Sequence, residues 1–165
     1  MKFIADAMLG RLARWLRVLG FDVLYYPDIA DGQLVKIARE EERTILTRDT
    51  HFLKRRQGTD VMFIYDDDVF AQLVQIRDKL DFRGVARLGR CMVCNGMLER
   101  VAQKEDVRDS IPEFIYLSIH DFVRCGGCGN IYWEGSHLQG IREKIMSIFP
   151  GYKGPFYAAE DGGGK

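Results

Sequence analysis

Cysteine is missing from the first ninety residues of this 165-residue chain; all four, Cys91, Cys94, Cys125 and Cys128, fall in the second half. Any chemistry in the first half must therefore be carried without thiols. Net charge is missing too, with 24 Lys/Arg balancing 24 Asp/Glu, so overall charge does not advertise a polyanion binder and only local clustering could. Residues 1–90 carry 16 basic against 14 acidic side chains and the remainder 8 against 10. No apolar run approaches the roughly 20 residues that cross a bilayer, so no membrane is expected. The opening Met-Lys-Phe-Ile-Ala-Asp reads as a strand start and not as a secretion signal. Repeats are absent, as is low complexity before the Gly-Gly-Gly-Lys end.

What is there begins with the cysteines. Cys91-Met92-Val93-Cys94 and Cys125-Gly126-Gly127-Cys128 are two C-x2-C knuckles, a spacing that lets four thiolates surround one tetrahedral zinc ion. Gly126, Gly127 and Gly129 suit the tight backbone of such a turn. Two disulfides or four buried thiols are the alternatives. Paired cysteines without a signal peptide favour a reducing, cytoplasmic setting over a disulfide framework.

Apolar spacing organises the first half. Lys2–Asp6 reads as a strand, and Met8, Leu9, Leu12, Trp15, Leu16 and Leu19 recur with helical period before Gly20. Further strands are expected at 22–26, 43–47 and 61–65, with helices at 32–42, 51–57 and 69–80. Strands alternating with helices argue for an α/β fold with a parallel sheet. The expected division is a domain over 1–82, a Gly/Arg-rich linker at 83–90, a metal-stapled module over 91–149 and a flexible tail at 150–165. Between the knuckles, 110–122 is expected to be short irregular structure.

Acids stand where these strands hand over to helices: Asp6 after the first, Asp31 after the second and Asp49 after the third. A parallel sheet gathers the carboxyl ends of its strands on one edge, where ligands bind. Carboxylates crowded there would suit an oxygen-preferring divalent cation. Aspartate is also a favoured helix cap, and each of the three fits that role as well. Asp66, Asp67 and Asp68 read as a solvated turn and cap. Arg11 and Arg14 lie near the start of the first helix, Arg17 near its end, and Arg48 directly precedes Asp49. Lys54, Arg55 and Arg56 follow in the next helix. A carboxylate-bound metal ringed by arginines suits phosphodiester cleavage. Solvated arginines covering the core edge are the alternative. Tyr132, Trp133 and His137 follow the second knuckle, as stacking groups for a ligand or, for the two aromatics, as the small core of the metal module.

Phe3–Arg17, Ile45–Asp49, Arg90–Asn95 and Cys125–His137 together resemble, in order, the Mut-seven-C family, PIN-like RNase domains fused to a zinc ribbon. The resemblance implies a PIN-like three-layer α/β sandwich followed by a small zinc-ribbon module. It implies a ribonuclease that uses Mg²⁺ or Mn²⁺, with RNA as its partner. It also implies a site of Asp6, Asp31 and Asp49, phosphate contacts from Arg11, Arg14 and Arg48, and zinc on Cys91, Cys94, Cys125 and Cys128. Glu40, Glu41, Glu42 and Asp66–Asp68 are candidates for a fourth acid. A non-catalytic RNA- or ribosome-binding protein is the competing reading.

Overall fold

A computed structural model describes residues 1–54, 58–86 and 89–152, with the side chains of 53, 54 and 136–141 outside that description. Four short strands form a parallel sheet: β1 (Lys2–Ala5), β2 (Asp22–Tyr25), β3 (Thr44–Thr47) and β4 (Val61–Phe63), in the spatial order β2-β1-β3-β4. Lys2 pairs with Asp22 and Ala5 with Tyr25, Phe3 with Thr44 and Ala5 with Leu46, and Thr47 with Phe63.

Period-two alternation sends these strands' side chains into two cores. Phe3, Ala5, Val23 and Leu46 face one side with Leu9, Leu12 and Leu16 of the first helical segment and Val69, Leu73 and Ile76 of the fourth. Ile4 and Ile45 face the other with Leu34, Ala38 and Phe52. The helices concerned are α1 (Gly10–Val18), α4 (Val69–Ile76), α2 (Asp31–Glu40) and α3 (Thr50–Lys54), so the sheet is covered on both faces. This is the three-layer α/β arrangement that alternating strands and helices predict.

Boundaries differ in instructive ways. The helical period that starts at Met8 does not open as an α-helix: a 3-10 turn over Ala7–Leu9, capped by Asp6, precedes α1. The second helix starts at Asp31, with Ala30 in the cap position, so Asp31 sits in the first turn. The fourth ends at Ile76 and tightens into a 3-10 turn over Arg77–Lys79.

A second sheet is antiparallel, with β5 (Leu98–Arg100), β6 (Phe122–Cys125) and β7 (Ile131–Trp133) in the order β5-β6-β7. The stretch before β6, expected to be irregular, holds a short helix, α5 (Glu113–Ser118). The final helix, α6 (Ser136–Ile148), does not stay with this sheet. Ile145, Ile148 and Phe149 are buried in the first core, Tyr152 packs against it, and the Tyr152 hydroxyl donates to the Leu19 carbonyl at 2.9 Å. Edge-to-face and tilted rings run without a break from Phe3 through Phe21 and Phe82 to Phe149 and Tyr152. The expected tail at 150–165 lies outside the described residues beyond Tyr152. No helix among the described residues is long and apolar enough to cross a membrane.

Candidate active site and cysteine cluster

The strand order reverses between β1 and β3, since β1 continues to β2 on one side and the chain then crosses to β3 on the other. In open parallel sheets a crevice opens at the carboxyl end of such a switch point. Asp6 follows β1 and Asp49 follows β3, so the two acids flank it. Asp6 is 7% exposed. Its Oδ1 accepts from the Met8 N–H at 2.9 Å, and its Oδ2 accepts from the Thr47 hydroxyl at 2.5 Å and the Arg48 N–H at 3.0 Å. Thr47 in turn accepts from the Asp49 N–H at 2.9 Å, and Asp49 Oδ1 accepts from the His51 N–H at 2.8 Å. One hydroxyl thus joins the two acid-bearing strand ends.

Asp6 is therefore both a cap and a member of the edge. Four lone-pair sites on a carboxylate leave one after three hydrogen bonds. Asp49 is half-buried and engages a single oxygen in its turn. Asp31 is exposed, in the first turn of α2, where a negative charge is favourable near the helix N-terminus. It lines an open groove of about 570 Å³ with Lys36, Arg39, His51 and Phe52. The three aspartates do not form one cluster: among the described residues, the group of three or more candidate ligands with donor atoms mutually within 4.8 Å is the cysteine set. Asp6 and Asp49 alone suit a cation that retains water and takes one or two carboxylates, as Mg²⁺ does.

Arg11 and Arg14 are exposed on α1. The Arg48 guanidinium pairs with Asp67, which ties the loop after β4 to the end of β3. Asp68 caps α4 by accepting from the Phe70 and Ala71 N–H groups, and Asp66 accepts from Asp68, so this run serves as turn and cap. Packing at Gly10 is close: a Cβ there would lie 2.7 Å from the outer end of the Tyr25 ring, whose hydroxyl donates to the Ala7 carbonyl, so a larger residue would displace that ring. Arg55 and Arg56, like the side chains of Lys54 and His137, lie outside the described residues.

The four cysteine sulfurs converge. Cys91 and Cys128 Sγ are 3.5 Å apart and Cys94 and Cys125 Sγ 3.4 Å, close to the roughly 3.8 Å edge of a tetrahedron with 2.3 Å metal–sulfur bonds. All four are free thiols. N–H groups of Cys94, Gly96, Gly127 and Cys128 point at sulfurs, as thiolate ligands need. Burial works to raise the Cys91 pKa, but the Tyr132 hydroxyl at 3.0 Å and neighbouring N–H donors prevail and bring it down to about 6. Cys128 is held by its Asn130 N–H contact, yet burial and the surrounding sulfurs push it up to about 12. Thiols that cannot all ionise together want a cation, and this donor set could hold a metal ion such as zinc. Tyr132 otherwise packs on the small core of Leu98 and Val123, and Trp133 on Phe122.

Sequence reasoning missed what anchors this cluster. Arg17, grouped in the sequence with the arginines of the first helix, is buried. Its Nε donates to the Val23 carbonyl, and its Nη1 donates to the carbonyls of Met92 and Val93 inside the first knuckle. Burial pulls its pKa below the ordinary guanidinium value, opposed by Cys91 and Cys94. Asn95, at φ +67°, accepts from the Val23 N–H and donates to Asp22, which also pairs with Arg43. The signal for Arg17 was its position four residues after Ala13 on the apolar stripe. Lys2–Asp22 is the amino end of the sheet, so the knuckle docks on the edge opposite Asp6 and Asp49.

Comparison with known families decides the class. The sequence model of the Mut7-C RNAse domain matches residues 1–145. The chain belongs to the Mut7-C RNAse domain family. That membership suggests a ribonuclease-type function, with RNA as the corresponding substrate class. No curated protein and no solved structure gives a match.

Proposed function

We propose that the protein is a PIN-like, divalent-metal-dependent ribonuclease whose site is the switch-point crevice between β1 and β3. The observation that carries this reading is the Asp6–Thr47–Asp49 linkage, which fixes two acids from separate strands at one sheet edge. Bound there, Mg²⁺ or Mn²⁺ would polarise a phosphate and lower the pKa of water. The chain's own groups set the geometry. Asp6 is clamped by three donors, Asp49 presents a freer carboxylate, and Asp31 stands further along the edge of α2. Arg11, Arg14 and Arg48 would hold backbone phosphates. Cys91, Cys94, Cys125 and Cys128 would hold structural zinc in a ribbon-like module over 91–149 that follows a nuclease unit over 1–82 and a linker at 83–90, and whose final helix α6 packs back on the core of that unit. Reduced thiols of this kind suit the cytoplasm.

A second reading has its own support. Asp6 is heavily used by backbone and hydroxyl donors, and the three acids do not close into one cluster, as a non-catalytic RNA- or ribosome-binding protein would allow. RNA cleavage with added Mg²⁺ or Mn²⁺ separates the two. Wild type should cut, while Asp49→Asn and Asp6→Asn should each lose most of the rate. Equal cleavage by all three proteins would overturn the site assignment.

A further inference from the structure

Large aromatic side chains left in water at a sheet's ligand edge call for an explanation, and two occur among the described residues. Tyr65 is 75% exposed and Tyr26 is 44% exposed. Each follows an outer strand of the parallel sheet, Tyr26 after β2 and Tyr65 after β4, whereas Asp6 and Asp49 follow the two inner strands. Across the carboxyl edge the order is thus Tyr26, Asp6, Asp49, Tyr65. Three strand spacings separate the outer positions, about 14 Å.

Neither tyrosine stands on a loose tether. The Tyr65 N–H donates to Gln75 Oε1 at 2.9 Å, while Gln75 Nε2 donates to the Phe63 carbonyl at 2.7 Å. Gln72, itself buried, donates to the Asp66 carbonyl at 2.8 Å. The Arg48–Asp67 pair then draws this loop toward Asp49. Tyr65 keeps one ring contact, with Phe63 at 4.8 Å. On the other side, the Tyr25 hydroxyl on the Ala7 carbonyl holds the end of β2 beside the residue after Asp6. The backbone is fixed and the rings project outward. Exposed Arg11 and Arg14 supply positive charge on the same edge.

We propose that Tyr26 and Tyr65 are base-stacking residues that seat two unpaired bases of one RNA strand on either side of the acids, with a phosphate between them over Asp6 and Asp49. This placement rests on the ribonuclease reading for what lies between the rings. Stacking needs a free base face, which a duplex does not offer. The arrangement therefore selects single strands by shape and not by base identity.

Full-length zinc-loaded protein with Mg²⁺ and Mn²⁺ left out, where binding proceeds without turnover, provides the test. Fluorescence anisotropy is read with a labelled oligouridylate and with a duplex RNA of equal length. Tyr65→Ala and Tyr26→Ala should each weaken single-strand binding about tenfold or more. Tyr65→Phe should restore it, and duplex affinity should not move. Single-strand affinity unchanged in both alanine variants overturns the proposal, as does an equal loss on duplex and single strand. Failure of the catalytic reading would look different: wild type would bind without these metals yet never cut when Mg²⁺ or Mn²⁺ is supplied.

Discussion

Replacing Asp6 with Asn should cost stability as well as activity, because its carboxylate is an all-acceptor group serving three donors. One oxygen takes the Met8 N–H; the other takes the Thr47 hydroxyl and the Arg48 N–H. An amide must turn its NH2 toward one side or the other. Either way, at least one buried or half-buried N–H faces another donor, which costs about 1–3 kcal/mol. The surviving hydrogen bonds also fall from charge-assisted to neutral strength. A neutral amide is cheaper to bury than a carboxylate, which trims the sum to about 2 kcal/mol. For a chain of this length that is about 4–8 °C in Tm. Asp49→Asn is the control: its one hydrogen bond, from the His51 N–H, survives on an amide oxygen, so its cost should stay within about 0.5 kcal/mol. Urea unfolding without divalent metal measures both. An Asp6→Asn variant as stable as wild type, or an Asp49→Asn variant equally damaged, would refute the clamp.

Asn95→Ala should destabilise by about 2–3 kcal/mol in urea, since the buried Val23 N–H loses its acceptor and Asp22 loses a donor. Asn95→Gly should fare about 1 kcal/mol better, because φ is +67° there; equal losses would show that backbone strain plays no part. Burial works against the Asp22 carboxylate, but Arg43 and Asn95 outweigh it and hold its pKa below 3.8. The native state therefore releases this proton more readily than the unfolded chain does, so its stabilisation is complete above pH 3.8 and fades as pH falls through the lower native value. Asp22→Asn should flatten that part of an acid-unfolding curve, and an unchanged curve would discount the network. Chelating the metal from the cysteine set should lower Tm by about 8–16 °C when free zinc had stood a thousandfold above its Kd. A Tm indifferent to chelator, with one zinc per chain lost, would contradict a structural role.

How much of this was legible beforehand depends on whether a signal is local. Strands that run into Asp6 and Asp49 announce themselves by apolar runs and an acid, and the two cysteine knuckles by spacing. Register is not local: that Thr47, and not another hydroxyl, lies between the acids follows from β1 pairing with β3, which no single segment encodes. Arg17 misled because an arginine near a helix end ordinarily faces water, and its burial depends on carbonyls of Met92 and Val93 far along the chain. Asp31 and its two companions look equivalent in sequence, yet a longer connection carries Asp31 outward to the first turn of α2. Ile145 and Ile148 show a helix spacing, but spacing cannot say which of two cores the helix will join.

That last placement bears on how the molecule is made. Ile145, Ile148, Phe149 and Tyr152 complete the apolar layer begun by Phe3, Phe21 and Phe82. During synthesis the face of the amino-terminal sheet that α1 and α4 cover stays incomplete until α6 has emerged, after both cysteine knuckles. A chain that stalls before α6 therefore carries Asp6, Asp49 and all four cysteines with the first core still incomplete.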